Sequence, residues 1–153
     1  MLQTTIKTKL DMRGLDNLAK RLVTLARTKT EIGFFDGAYD DGMPVAQVAA
    51  MNEFGTRFHP DRPFMQETLQ EKRHAIVAML IQAARATVLN RGGARSIMQL
   101  LGKMLTDEIK ITISNYPGHN SPSTIARKGF DRPLYDTGKM LESVKFRLSG
   151  SLV

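Results

Sequence analysis

The chain has 153 residues, a net charge of +7 and no cysteine, with 42% hydrophobic and 24% charged residues, which is ordinary for a soluble globular protein. The length suffices for one domain with a buried core, the absence of cysteine excludes disulfides and thiolate chemistry, and no run approaches the ~20 apolar residues of a membrane span. The positive charge favours an acidic partner, such as nucleic acid, an anionic protein face or a membrane surface, although solubility alone also explains it.

The N-terminal third is predicted to hold two strands around one helix. Thr5 to Met12 alternates apolar and charged residues, which indicates a half-buried strand rather than a signal peptide. Leucines at helical spacing predict an amphipathic helix over Leu15–Thr28. Glu31–Phe35 predicts a second strand.

The next region is predicted to be a turn, a helix and a loop. Asp36–Gly42 is dense in turn formers. Pro44 is suited to the first position of a helix, and Gly55 is suited to its end because glycine adopts the left-handed conformation. The loop then runs from Thr56 to Arg62.

A long helix is predicted over residues 63–90. It begins at Pro63, and no helix-breaking residue occurs before Gly92, so an uninterrupted helix would be about 40 Å long. Five residues form its predicted inward seam: Leu69, Ile76, Leu80, Ala83 and Thr87.

The C-terminal half is predicted to contain a helix, a long loop, a short helix and a strand. Ser96 is predicted to cap the helix that runs to Asn115, in which Gly102 weakens the middle by ~1 kcal/mol relative to Ala. The loop covers Tyr116–Gly129 and, with its irregular continuation, about 116–135. Asp136 or Thr137 caps a short helix through Leu141, and alternating residues from 144 to 148 predict a final strand with a basic outer face.

These elements predict a single α+β domain over residues 1–153. Its sheet is expected to be twisted and mostly antiparallel, and the helices are expected to pack against it.

No residue pattern specifies catalysis. Asp136-Thr137-Gly138 matches the tripeptide of aspartic proteases, but a lone copy needs a homodimer, and a helix cap explains it more simply. His59, His74 and His119 have no metal-ligand spacing, and no nucleophile elbow or phosphate loop is present. We therefore expect a protein that is not an enzyme and that needs no metal or cofactor, with a hydrolase using Asp136 as a distant alternative.

Two loop segments combine basic, aromatic and proline residues, NEFGTRFHPDRPFMQ and SPSTIARKGFDRPLYDTGKMLESV. Such mixtures suit protein interfaces or, alternatively, nucleic-acid backbones and stacked bases, and they also serve to anchor long loops to their own domain. Asp-Arg-Pro occurs in both, which indicates similar loop chemistry or chance. The candidate partner contacts are Arg57, Phe58, His59, Arg62, Phe64, Arg127, Lys128, Phe130, Arg132 and Tyr135.

These two segments resemble small morphogenesis proteins of tailed bacteriophages. N-E-F-G-T followed by R-P-F at a helix start is similar to the middle of the virion-morphogenesis and minor tail protein Z-like group. S-P-S-T-I-A-R-K-G followed by P-L-x-D-T-G-x-M-x-x-S-V is similar to the C-terminal part. The resemblance covers roughly Glu31 to Leu148.

The resemblance implies a structural role in the virion. It implies a tail-terminator-like fold, assembled in the host cytoplasm as a ring, commonly of six subunits, around the DNA path in the neck or upper tail. The implied partners are copies of the chain, neighbouring neck and tail-tube proteins and DNA in the lumen, with no membrane. A basic nucleic-acid-binding module is the alternative.

Overall fold

A computed structural model describes residues 12–150, and these residues form seven helices and a two-stranded antiparallel sheet. The predicted α+β class is therefore confirmed. The predicted strand Thr5–Met12 lies outside the described residues except for Met12, which precedes the first helix. The elements in chain order are α1 (Arg13–Arg27), β1 (Lys29–Phe34), α2 (Val45–Phe54), α3 (Phe64–Glu71), α4 (Arg73–Val88), α5 (Ala94–Asn115), α6 (Pro122–Lys128), α7 (Lys139–Glu142) and β2 (Val144–Ser149).

The sheet joins the two ends of the described chain. β1 pairs with β2 so that Lys29 lies opposite Ser149 and Phe34 lies opposite Val144. The alternation predicted for the last strand is confirmed, because its apolar residues are buried or half-buried and its basic residues are exposed. The inward residues are Val144, Phe146 and Leu148, and the outward ones are Lys145 and Arg147.

Helix α5 is the centre of the fold, since it contacts both strands as well as α3, α4 and α7. Its N-terminal half packs Met98 and Leu101 with Ala83 of α4, and its C-terminal half packs Ile109 and Ile113 in a second cluster with α2 and α3. Ile32 of β1 lies against both clusters. The 22 residues of α5 make it the longest described helix.

Gly102 has a packing role that its helix propensity does not indicate. This residue is buried in α5, and a Cβ atom there would overlap the ring of Phe146 in β2. The small residue therefore lets the sheet approach the central helix closely, and replacing it by alanine would not simply add helix stability.

The predicted helix over residues 63–90 is divided into α3 and α4 at Lys72. The backbone of Lys72 has φ −86° and ψ 6°, and its ammonium group contacts Glu71 at 3.0 Å and Glu108 of α5 at 3.1 Å. These two hydrogen bonds, the one to Glu71 being the larger cause, raise the pKa of Lys72. No glycine or proline stands at this break in the sequence. The break coincides instead with the contact between Lys72 and Glu108 on a distant helix. Of the predicted seam, Ala83 and Thr87 are buried, Ile76 is half-buried, and Leu69 and Leu80 are exposed.

The predicted loop at Tyr116–Gly129 contains the short helix α6. The Ser121 hydroxyl accepts a hydrogen bond from the amide of Thr124 at 3.3 Å, Pro122 occupies the first turn, and Gly129 ends the helix with φ 79°. Helix α7 begins one or two residues later than expected, with Gly138 rather than Asp136 or Thr137 at its N-cap. The irregular segments between α5 and α6 and between α6 and α7 are therefore each shorter than the single loop that was predicted.

Candidate partner-binding groove

The first motif, Asn52 to Phe64, is a folded joint between α2 and α3. Gly55 ends α2 with φ 72°, and a Cβ atom there would lie 2.8 Å from the amide nitrogen of Asp61. The Thr56 hydroxyl accepts hydrogen bonds from the amides of Phe58 at 3.2 Å and His59 at 3.1 Å. The loop thus satisfies its own backbone, and its tip presents Phe58 outward.

The buried side chain of Glu53 connects the end of α2 to the start of α3. The side chain is 8% exposed, and its two carboxylate oxygens accept the amides of Met65 and Gln66, each at 2.9 Å. These amides belong to the first turn of α3, where helical N–H groups have no partner within the helix and a negative charge is favoured. Glu53 therefore fixes α3 against α2. Sequence reasoning did not assign Glu53, because the capping residue lies twelve positions before Met65.

The second motif is organised by Asp131. Its Oδ1 accepts the amide of Asn120 at 2.7 Å, and its Oδ2 contacts Nδ1 of His119 at 2.6 Å. The Asn120 amide, and then His119, hold the pKa of Asp131 below its usual value. This carboxylate ties the chain after α6 to the chain before it.

Aromatic and basic side chains stack in the same segment. The guanidinium of Arg132 lies 4.3 Å from the centroid of the Tyr135 ring, and it donates a hydrogen bond to the carbonyl of Ser114 at 3.0 Å. The Lys128 ammonium donates to the carbonyl of Arg132 at 3.0 Å and lies 5.4 Å from the Phe130 ring centroid. Burial lowers the pKa of Lys128. These cations therefore help to hold the loop together.

The two motifs meet at Arg62. Its Nη1 donates to the carbonyl of Pro133 at 3.2 Å, across 71 positions of sequence. Between the segments runs an open groove of about 1010 Å³. Its lining includes six of the ten predicted contact residues, namely Phe58, His59, Arg62, Arg127, Lys128 and Tyr135.

The other four predicted residues have different places. Arg57 lies at the loop tip, with its guanidinium 5.9 Å from the Phe58 ring centroid. Phe130 and Arg132 do not line the groove, and both contact the ring of Tyr135, which does. The expectation for Phe64 is corrected, because its side chain is fully buried and packs edge-on against Phe34 with ring centroids 6.2 Å apart. Phe64 is a core residue, and a partner cannot contact it in this fold.

The loop before α2 also contributes to the groove, although no signature in it was recognised. Tyr39 lines the groove, and Lys139 of α7 bonds Asp40 at 2.8 Å while lying 5.7 Å from the Tyr39 ring centroid. Burial, followed by the charges of Asp136 and Asp41, raises the pKa of Tyr39. Only the tertiary structure brings this loop next to the second motif, so local sequence patterns gave no signal for it.

Two phenylalanines near the first motif are almost fully exposed. Phe54, at the end of α2, is 80% exposed, and Phe58 is 82% exposed. Phe54 was also missed from the sequence, because its place at the last position of a helix carries no interface signal. Isolated exposed aromatics of this size are frequent anchors in protein interfaces.

Comparisons with known proteins add no neighbour: neither a protein-family model nor a curated protein nor a solved structure matches the chain. Within residues 12–150, no group of three or more His, Cys, Asp and Glu side chains is placed to hold a metal ion. No helix in the same part of the chain is long and apolar enough to cross a membrane.

Proposed function

We propose that this chain is a structural protein of the neck or upper tail of a tailed bacteriophage, where it completes the tail and joins it to the head. In this proposal it acts without catalysis or cofactor, as a ring around the DNA path. One observation carries the proposal. The two motifs that resemble the phage morphogenesis proteins both line one groove and are linked by the Arg62–Pro133 hydrogen bond.

The character of the groove favours a protein partner. Of the three arginines and lysines that line the groove, Arg62 and Lys128 each donate to a backbone carbonyl of the chain and so help to shape the groove, which leaves Arg127 as the exposed cation. A surface that grips phosphates needs cations free to face the ligand. Prolines and internal hydrogen bonds keep the loops ordered before binding, which lowers the entropic cost of docking.

Exposed apolar side chains on α1 and α4 support association between copies. Helix α1 has no buried residue within the described chain, although its leucines follow helical spacing. Exposed residues of the two contacting helices include Leu15, Leu22 and Val23 on α1 and Val77, Leu80 and Ile81 on α4. An apolar surface of this kind on a soluble chain is typical of a subunit interface.

The proposal is tested by electron microscopy of lysates from a phage that lacks this gene. Filled heads lying apart from tails would support a role at the joint. Tails of normal length would then indicate joining, and overlong tails would indicate termination. Normal, joined virions would refute the proposal.

A nucleic-acid-binding module remains the second candidate because of one pair of residues. Arg57 and Phe58 are both exposed at the loop tip, and together they offer a cation and a stacking face. If this pair binds DNA, affinity should fall steeply with salt and Phe58→Ala should weaken it. Absence of DNA binding would eliminate this candidate, and binding that is independent of Phe58 would remove the loop tip as its site.

A further inference from the structure

Helix α4 is apolar on two of its sides, and the described chain fully covers only one of them. The inner side packs Ala83 against α5 in the core cluster described above. The outer side carries Val77, Leu80, Ile81 and Val88, each of which is between 42% and 46% exposed. A helix at the surface of a globular protein normally has one apolar stripe, which faces the core. The second apolar side of α4 therefore indicates a partner.

The outer side of α4 has the spacing of a coiled-coil seam. Val77, Ile81, Ala84 and Val88 are separated by four, three and four positions, so they lie in line along the helix. We call these four residues the outer seam. Ala84 is half-buried and is the smallest of the four, whereas Ile81 is the largest. A seam of this kind packs against a second helix, because its side chains fit between those of the partner.

The outer seam is complementary in size to a second copy of itself that runs in the opposite direction. In an antiparallel pair, Ile81 would lie opposite Ala84 of the second copy, and Val77 would lie opposite Val88. A large side chain then meets a small one at both central positions, which lets the two helices approach closely. In a parallel pair, Ile81 would instead meet Ile81 and Ala84 would meet Ala84. A two-fold axis produces the reciprocal pattern of the antiparallel pair.

The charges on α4 favour the same arrangement. Residues 75–84 contain no charged side chain, so the middle of the outer seam has no charge that would select an acidic or a basic partner. The arginines of the helix, Arg73 and Arg85, stand before and after this stretch. A parallel pair would set each arginine beside its own copy, which is unfavourable. In the antiparallel register, Arg85 would lie opposite Leu80, and Arg73 would lie beyond the end of the second helix.

We propose that the outer seam of α4 pairs with the outer seam of a second copy, as an antiparallel helix pair about a two-fold axis. One pair of helices makes a small interface, so the association should be weak and reversible. The contact closes with two copies, whereas a ring needs a head-to-tail contact. The inference therefore goes beyond the proposed function, and its failure would leave that proposal standing.

The direction of pairing can be measured by cross-linking, because the sequence contains no cysteine of its own. Full chains with Val77→Cys and Val88→Cys, distinguished in mass by a tag, are mixed and treated with a short bismaleimide. The mixed product should dominate, since the two positions face each other in the antiparallel pair. Two copies of position 77 would lie roughly 16 Å apart along the helix axis, at 1.5 Å per residue, which is beyond the reach of the reagent.

The other results of this experiment would contradict the proposal. Products that link only like positions would show a parallel pair, and the absence of any product would show that α4 does not meet α4. Gln82→Cys is the control, because Gln82 is exposed on α4 but does not belong to the outer seam. It should give little product with itself or with either seam variant. Equal yields from the control and the seam variants would indicate random collision and would also overturn the proposal.

The strength of the contact is measured by sedimentation of the full chain over micromolar to millimolar concentrations. Ile81→Ser should weaken dimer formation by ~10-fold or more, because each dimer loses two covered apolar side chains. Gln82→Ser is the matched control and should change the dissociation constant by about 2-fold or less. Circular dichroism checks that both variants keep the fold, which is expected because Ile81 is 46% exposed. A chain that is monomeric at millimolar concentration, or equal weakening by both changes, would overturn the proposal.

Discussion

Replacing Glu53 should destabilise the fold more than replacing any exposed carboxylate. Glu53 is nearly fully buried and accepts two amides of α3, each at 2.9 Å. Hydrogen bonds to a charged group contribute ~1.5–3 kcal/mol each. Since water re-enters part of the vacated space, the lower figure for each bond is appropriate, and Glu53→Ala should lower the free energy of unfolding by about 3 kcal/mol.

Glu53→Gln separates the charge from the shape of the side chain. The amide oxygen of glutamine keeps one of the two bonds, while its NH₂ group faces a second N–H donor. The expected loss is therefore that of one bond, about 1.5–2 kcal/mol. Both losses are large against the ~5–15 kcal/mol that stabilises a typical domain.

The assay is urea denaturation followed by circular dichroism, with Glu142→Gln as the control because Glu142 is an exposed carboxylate. Its replacement should change the free energy of unfolding by ~0.5 kcal/mol or less. The free energy of unfolding should fall most in Glu53→Ala, less in Glu53→Gln and least in Glu142→Gln. If Glu53→Ala behaves like the control, the carboxylate does not hold α3, and the explanation of the first motif given above fails.

Three further outcomes follow from the packing and charges. Gly102→Ala should lower the free energy of unfolding by about 1–2 kcal/mol despite its gain in helix propensity, because the added methyl overlaps Phe146. Burial, and then the nearby Glu67, raise the pKa of Tyr116 to about 12 from its ordinary value of 10.0. Folding therefore favours the neutral phenol, and the stability that this contributes is complete below pH ~10 and is lost between pH 10 and about 12. Arg57→Glu should block assembly yet leave the chain folded, as sedimentation and circular dichroism would measure.

Each of these has its own control. For Gly102, Gly14→Ala adds a methyl where no atom lies within 4 Å, so it should not destabilise, and equal losses at both sites would contradict the packing argument. For Tyr116, the Phe variant should lose less stability between pH 10 and 12 than the unaltered chain. Identical stability profiles of the two proteins over this pH range would contradict the raised pKa of Tyr116. For Arg57, the exposed Arg91 between α4 and α5 provides the matched Glu substitution, and unchanged assembly in Arg57→Glu would remove this loop from the interface.

The elements predictable from the sequence were those with local signals. The helix at Arg13–Arg27 and the strand at Val144–Ser149 follow from periodicity alone, and Gly55 ends α2 for the conformational reason that glycine suggests. The break at Lys72 was not predictable, because it coincides with the ion pair to Glu108 on another helix.

The candidate site was predictable only in part, for a related reason. The sequence Arg-Pro-Phe does not indicate whether the phenylalanine faces a partner or the core. In the structure, Phe64 faces the core. The roles of Glu53 and Tyr39 depend on segments that only folding brings together. Local composition thus located the loops, whereas the direction of each side chain required the tertiary structure.

The two Asp-Arg-Pro sequences explain why the groove is held in one shape. In the second copy, Asp131 holds the amide of Asn120 and Arg132 holds the carbonyl of Ser114. The carbonyl of Pro133 accepts its hydrogen bond from Arg62, the arginine of the first copy. Each arginine thus donates to a distant backbone carbonyl, which is the role that the two copies share.

This arrangement decides which variants can report on docking. A change at Arg62 or Arg132 removes a bond that shapes the groove, so a failure to assemble would not distinguish a lost contact from a displaced wall. Arg57 and Phe58 project from the loop tip, and the backbone bonds of that tip run through Thr56. Substituting Arg57 or Phe58 therefore alters the surface that a partner would meet while the groove behind it keeps its hydrogen bonds.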